Sequence, residues 1–540
     1  MSAWRGPPWA QWAYPAAALG LLLLIALHVL GPYSTYASVL DITSHDDNDY
    51  IYNGLHRSLS NLPAEWAPLY LIWLKFLGKI ASTPIDVYFL NAYVLGVALP
   101  ALIFLAILSC GGGLSMALLG ALAWLLSQAN LEAYPRVATF AVAILTATIA
   151  IARFGRSFPA RWCVLTLGML AAAYVRPELY YAAALLLVWG IWGLIREAPS
   201  DRRAWIIALG IVLATAAIAI AAFGVPMGGA RLELAFYQHV ARNLLVRDGV
   251  SSGGDVQMVQ HLPATMRQLA AHGSIFDFVR HEPRMMLHHV AANLKLFLPN
   301  LATDLRPPAP MSAAAGMLPL APLVLLGFAA FVQRLAAGRA GEPAAAPPLR
   351  HEAFVMLACA ALIVLPVCFV IYPRPHYLTS LSMMILFAVA TPRGIATQWR
   401  SAVSIAAVLA VAAALLQPSY AQSSQGLPHD RVDLIRALNA HPEWKDLRLL
   451  DPYAVLAFYV PGVTESLDTT SLTAPFDRYL SDHGINAIAW TPILRDHPVL
   501  AQDPSWQRFS ASPASLGFTC RPVARDAVQL CIADRLLEKP

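Results

Sequence analysis

Apolar stretches of about the length that a bilayer requires recur along this chain, and they limit its folds more than any other feature. Read in a window of about 19 residues, they fall near 12–31, 85–109, 113–129, 135–154, 162–175, 177–195, 204–224, 312–333, 352–371, 376–391 and 401–416. Inside hydrocarbon every backbone N–H and C=O needs a partner within the chain, so segments of this kind are expected to be helices. The fold class expected is therefore a polytopic α-helical membrane protein of about eleven transmembrane helices. Charged residues make up only 13% of the 540 residues, against roughly 25% in an ordinary soluble domain, which excludes a soluble enzyme. No basic run or nucleic-acid motif is present, so no nucleic-acid partner is expected.

The loops between the apolar stretches orient the chain. Arg153, Arg156 and Arg161 share one short loop, Arg196, Arg202 and Arg203 a second, Arg334, Arg339 and Arg350 a third, and Arg393 and Arg400 a fourth. Counting from a cytoplasmic N-terminus places all four inside, as the positive-inside rule requires. The segment Trp12 to Leu30 has only Arg5 ahead of it and no small-residue cleavage site after it, so it is expected to be a retained span. The expected location is the bacterial inner membrane, multi-pass, with the active site facing the periplasm.

The same count sends the polar segments outside: a first loop at 32–84, a long loop at about 225–311 and the tail from Pro418. In the first loop, Leu55, Leu59 and Leu62 recur at helical spacing, and WAPLYLIWLKFLGKI (66–80) sets aromatics beside Lys75 and Lys79. The latter reads as an amphipathic helix in the membrane interface, too short and too charged to span; MMLHHVAANLKLFLPNL (285–301) reads as a second. The tail changes character. RVDLIRALNAH (431–441) is helical, LRLLDPYAVLAFYV (447–460) is mixed, and INAIAWT (485–491) and VQLCIA (528–533) are strand candidates. Two domains are expected: a membrane domain over 1–416, including its external loops, and a periplasmic α/β domain over 417–540. Cys520 and Cys531 can pair if the tail is outside, whereas Cys110, Cys163, Cys359 and Cys368 are core residues of apolar segments.

Chemistry concentrates at the external ends of the spans. SHDDNDYIY (44–52) follows the first span with Asp46, Asp47 and Asp49 in four positions, and a carboxylate at the boundary where a lipid-linked substrate presents its headgroup can take a proton from a hydroxyl, hold a cation or sit solvated in a loop. Glu132 and Arg136 occupy the turn between the third and fourth spans, either as snorkelling anchors or as part of the site. YVRPELYY (174–181) brings Arg176, Pro177 and Glu178 to the next external junction, either as a local ion pair or in direct contact with substrate. Pro177 suits a first helical turn. In YPRPHYL (372–378) two prolines hold Arg374 and His376 in a stiff extended turn, where a guanidinium can stabilise the charge that builds on a leaving phosphate. The long loop adds Arg231, His239, Arg242, Arg247, the glycine-rich SSGGD (251–255) as a candidate lid, and His281, Glu282, His288 and His289. Pro283 interrupts the helix that would align those histidines on a metal, and no HExxH occurs. The Ala/Pro-rich 336–349 reads as a flexible cytoplasmic loop.

A first span, then Asp46-Asp47-Asn48-Asp49-Tyr50 as an Asp-acidic-x-x-Tyr motif, then a Pro68-Leu69-Tyr70 helix resembles the opening of the GT-C glycosyltransferases, nearest to the protein O-mannosyltransferase and aminoarabinose-transferase type. The resemblance extends to about residue 416 and is densest in the first ~110 residues. It implies an inverting glycosyltransferase that moves a sugar from a polyprenyl-phosphate donor to an extracytoplasmic glycan, lipid or protein acceptor, in contact with membrane lipids. It implies Asp46, with Asp47 next, as the base or the acceptor-orienting acid. Substrate contacts are implied for Tyr50, Glu132, Arg136, Arg176, Glu178, Arg374 and His376, with Arg374 on the lipid phosphate. No organic cofactor is implied, and a divalent cation at the acidic cluster is the one ion left open. The rival expectation is a transporter or flippase of a lipid-linked saccharide.

Overall fold

The computed structural model describes residues 10–537 apart from 44–45, 63, 133, 135, 197–198, 227–229, 251–255, 272, 338–347, 392–399, 470–471, 498 and 524–527. Arg5, Arg339, Arg393, the SSGGD stretch, most of 336–349 and the side chains of Arg231 and Arg400 lie outside the described residues.

A helix stands at each of the eleven apolar stretches. Among the described residues, five are long and apolar enough to cross a membrane: Ala13–Val39, Pro84–Ser109, Leu179–Arg196, Arg202–Phe223 and Leu349–Val370. A sixth candidate, Ala309–Ala315 with Leu318–Arg334, is bent by 117° at its break. Others, among them Leu114–Leu125, Val137–Ala152 and Pro375–Ala390, are shorter apolar helices. The chain is thus a mostly helical, membrane-associated protein.

Local chemistry sets the helix boundaries. Thr83 and Asp86 form a reciprocal capping box and Pro84 takes the first position of the longest helix, where a missing N–H costs nothing. Pro375 does the same for Pro375–Ala390. Close helix crossings use small residues, as expected where packing alone holds helices together in lipid. A Cβ on Gly168 would meet the Thr148 hydroxyl at 2.1 Å, and one on Gly190 the Trp162 ring at 2.1 Å. Large apolar side chains such as Leu24, Ile218, Leu362 and Val408 point outward. Arg161 grips Glu352 bidentately, at 2.6 and 2.7 Å, tying Phe158–Ala173 to Pro348–Val370.

The first loop folds as Asp47–His56, a 3-10 turn at Leu59–Asn61 and Pro68–Leu77. The helical spacing of Leu55, Leu59 and Leu62 does not continue as one helix, because the chain turns extended at Arg57. Nor does Lys75 only flank the aromatics of its helix: its ammonium donates to the Arg57 carbonyl at 2.8 Å, at the C-terminal end of Asp47–His56. The long loop is four helices, Ala230–Arg247, Val256–Ala270, Ile275–His281 and Pro283–Leu305.

The tail forms a five-stranded sheet, β1 (Leu447–Leu450), β2 (Val463–Leu467), β3 (Ala487–Trp490), β4 (Phe518–Pro522) and β5 (Gln529–Ala533), in the order β2-β1-β3-β5-β4. The β2-β1-β3 pairings are parallel and the β3-β5-β4 pairings antiparallel. β1, β3 and β5 fall where strand character was read; β2 (VTESL) and β4 (FTCRP) were not foreseen. Cys520 and Cys531 are disulfide-bonded across β4 and β5, and the other four cysteines are free, three of them buried and Cys359 half-buried. One sheet face packs Leu450, Ile488 and Cys531 against Phe476, Trp506 and Phe509. The other, with Leu449, Ala487, Leu530 and Ile532, continues through Asp430–Asn439 into the core of the helical region.

Candidate functional site

Asp46 immediately precedes the helix Asp47–His56, and the residues on either side of it are pinned by three separate elements. Thr43 N–H donates to the Tyr88 hydroxyl at 3.2 Å. Asn48 Nδ2 donates to the Thr43 carbonyl at 2.7 Å, closing the turn. The Tyr459 hydroxyl, 411 residues away in the chain, donates to Asn48 Oδ1 at 2.5 Å. Asp47 Oδ1 accepts the Arg136 backbone N–H at 2.9 Å. Between these anchors the Asp46 side chain is exposed and lines a cavity of about 250 Å³.

Asp46, Tyr50, Glu65, Arg176, Glu178 and His376 supply the cavity's polar and aromatic side, and Leu232, Ala235, Ile363, Val367 and Ile371 line it with apolar groups. Five side chains from three sequence-distant motifs thus meet, as the span-end reading expects of Asp46, Tyr50, Arg176, Glu178 and His376. Arg176 donates through Nε to Glu178 Oε1 at 2.7 Å and through Nη2 to the same oxygen. Its guanidinium also lies 4.8 Å from the centre of the Tyr377 ring. The local ion pair and the cavity position, set out as alternatives, therefore coexist. Pro177 lies ahead of the helix, which begins at Leu179, not in its first turn.

Asp47, although next to Asp46, is 2% exposed and does not line the cavity. One N–H reaches it, its Oδ2 has no hydrogen-bond partner, and burial pushes its carboxyl up to about 7, against the lowering effect of Arg136. Arg136 is no snorkelling anchor and does not line the Asp46 cavity. It is 1% exposed, with Nη1 donating to the Asn130 carbonyl at 2.5 Å and Nη2 to the Leu131 carbonyl at 2.7 Å. It satisfies the end of the short helix Gln128–Leu131 and so fixes the turn whose N–H holds Asp47. Glu132 accepts from the Tyr420 hydroxyl at 3.2 Å, away from the cavity, and burial raises its carboxyl.

The YPRPHYL turn is held from the long loop. His289 Nε2 donates to the Val370 carbonyl at 2.8 Å, Asn293 Nδ2 to Phe369 at 2.7 Å, and Asn300 Nδ2 to Pro373 at 2.8 Å. These side chains recur along one face of Pro283–Leu305 and satisfy carbonyls freed where Pro348–Val370 ends. Arg374 is extended and caps the next helix, whereas His376 lies inside that helix and not in the extended turn, because Pro375 already has helical geometry. Arg374 does not line the cavity, although Ile371, His376 and Tyr377 do. It stands instead with His239 and Arg242 around Tyr372: the His239 ring stacks on Tyr372 at 4.8 Å and the Arg242 guanidinium is 5.5 Å from the same ring. Burial first, then Arg374 and Arg242, push the His239 imidazole down to about 2, so it is neutral. Its Nδ1 has no hydrogen-bond partner.

Glu65 is the cavity acid that the motif reading missed. The only signal for it is an acid directly ahead of the Pro68-Leu69-Tyr70 helix. Among the described residues, no group of three or more His, Cys, Asp or Glu side chains stands together in a way that could hold a metal ion. Chemically, the arrangement can accept a proton at Asp46, place an anion near Arg374 and Arg242, and accommodate an apolar chain along Ile363, Val367 and Ile371. Compared with known proteins, the chain matches no family model, and no curated protein is significantly similar to it.

Proposed function

We propose that this chain is an inverting glycosyltransferase of the bacterial inner membrane, with about eleven spans and a cavity open to the periplasm, that uses a polyprenyl-phosphate sugar. The single observation that carries the reading is one cavity in which an exposed carboxylate, Asp46, shares walls with Arg176, Glu178 and His376 on a polar side and with Ile363, Val367 and Ile371 on an apolar one. A lipid-linked sugar has this duality, and its phosphate would find Arg374 and Arg242 beside the same turn. Asp46 takes the proton of the acceptor hydroxyl as its oxygen bonds to the anomeric carbon. The bond from that carbon to the phosphate oxygen breaks on the opposite face, and the phosphate leaves with the electron pair. General-base help supplies roughly 10² to 10⁴ in rate, and the fixed guanidinium charges favour the leaving phosphate.

Mass spectrometry of envelope lipids and glycans, with and without this chain, identifies the acceptor, and purified protein with that acceptor and a polyprenyl-phosphate sugar then tests the chemistry. Asp46→Asn should retain donor binding and lose transfer by about 10² to 10⁴. Wild-type protein that binds the donor and carries it across a vesicle membrane without transferring the sugar would establish the transporter in its place. Assays with and without EDTA report whether a divalent cation takes part.

A further inference from the structure

We infer that the C-terminal domain completes the candidate site by holding the Asp46 turn in place, and that Tyr459, set by the buried Asp451, is its positioning residue. The inference rests on the reading of Asp46 as the reacting carboxylate, but the contact it names is independent of that reading.

Asp451 follows β1 and is fully buried. Its carboxylate accepts three backbone N–H groups, from Tyr453 at 2.9 Å, Val455 at 2.8 Å and Leu456 at 2.7 Å. Inside that ring of donors Ala454 adopts φ +56°, a left-handed conformation that a residue with a Cβ rarely takes. Such a strained residue persists where its surroundings over-determine it, and strain of this kind collects at sites that have to be held. What the loop delivers is the 3-10 turn Leu456–Phe458 and then Tyr459. Phe458 packs its ring on Tyr52 at 5.6 Å, and Tyr459, fully buried, gives its hydroxyl hydrogen to Asn48. Asn48 passes the constraint on through Nδ2 to the Thr43 carbonyl, closing the turn that carries Asp46.

Two further tethers bring the domain to this place. Asp41 accepts Arg431 Nη1 at 2.9 Å and the Val432 N–H at 3.1 Å, and Arg436 Nη2 donates to the Ala37 carbonyl at 2.8 Å. All three attachments reach residues 37–48, from the end of the first apolar helix into the first turn of the acidic helix. None of the residues lining the Asp46 cavity belongs to the C-terminal domain, so the domain acts on the cavity through the loop and not by contact with its contents.

The test uses the full chain in lipid nanodiscs with Tyr459→Phe, which keeps the ring and removes the one hydroxyl. Hydrogen exchange over residues 41–50 should quicken by about tenfold, the loss of one buried hydrogen bond, while exchange in β1, β3 and β5 stays unchanged. Arg478→Ala, on an exposed ion pair of the same domain, should leave 41–50 as in wild type. In sugar transfer, Tyr459→Phe should lower kcat with the donor KM retained. Combined with Asn48→Ala, it should lower the rate no further than Asn48→Ala alone, because both act through one bond. Unchanged exchange at 41–50 in Tyr459→Phe would overturn the inference, as would losses that multiply in the double variant. Absence of transfer in wild type would sink the glycosyltransferase reading and leave the exchange result to judge the tether.

Discussion

Replacing Asp47 by Asn asks whether the second acid of the cluster works as a charge or as a neutral pin. In the folded protein burial pushes this carboxyl up to about 7, from an ordinary value of 3.8. Between about pH 4 and 7 the folded chain therefore holds a proton that the unfolded chain has released, and stability falls as the pH rises through that window. At roughly 1.4 kcal/mol per pH unit, the loss above pH 7 is on the order of 4 kcal/mol. Asn keeps Oδ1 for the Arg136 N–H and cannot ionise, and its unpartnered amide in place of Oδ2 costs about 1–3 kcal/mol. The variant should therefore lose stability less steeply than wild type from pH 4 to 7 and exceed it by about 1–3 kcal/mol at pH 8. Thermal unfolding in detergent across pH 4.5–8.5 reads the stability, and difference infrared spectroscopy reads the protonated-carboxyl absorption, which should weaken in Asp47→Asn at pH 6. Because Asp47 stands outside the cavity, the variant should also keep most transfer activity. Equal stability at pH 8 together with an unchanged carboxyl band would refute the argument; loss of transfer matching that of Asp46→Asn would make Asp47 the base.

The other expectations concern packing and the site's supports. Glu352→Ala strands Arg161 in a largely buried place and should cost about 3–5 kcal/mol, whereas Arg161→Met with Glu352→Leu should recover most of it; thermal unfolding compares the two. Gly190→Ala drives a methyl into the Trp162 ring and should cost about 1–3 kcal/mol, seen as a lowered Tm and a shift in tryptophan emission. His289→Ala should loosen 369–374 and weaken the affinity for a polyprenyl phosphate, measured by calorimetry, more than it alters a bound donor's turnover. Deleting residues 425–540 should abolish transfer, and unchanged transfer would remove the domain from the site.

Much of the helical framework was legible because bilayer thickness and backbone hydrogen bonding leave little choice for long apolar runs: helices stand at all eleven stretches, although among the described residues five, or six with the bent pair, have spanning length and composition. The cavity was legible in part for a related reason. Asp46, Arg176 and His376 stand near the ends of apolar stretches, and the ends of packed helices converge. Hydropathy could not tell Asp46 from Asp47, since the difference is which side chain the turn aims into space and which it buries against Arg136. Arg136 itself was misread because its partners are main-chain carbonyls at Asn130 and Leu131, which any sequence would offer. Tyr459 and Asn48 are silent for another reason: an Asn in a loop and a Tyr after an apolar run mean nothing until the fold brings them together. β2 was missed because VTESL is short, polar and edge-lying, so it lacks the apolar run that betrayed β3.

The contact between Asn48 and Tyr459 also bears on how the molecule is made. The acidic turn is made well before its support at Tyr459, which comes 411 residues after Asn48. Until Tyr459 has been made and the sheet around it has folded against the acidic helix, that contact with Asn48 is not made. A copy that stopped short of Tyr459 would carry every side chain lining the Asp46 cavity and lack this support, so on the proposed reading synthesis itself would serve as the safety catch.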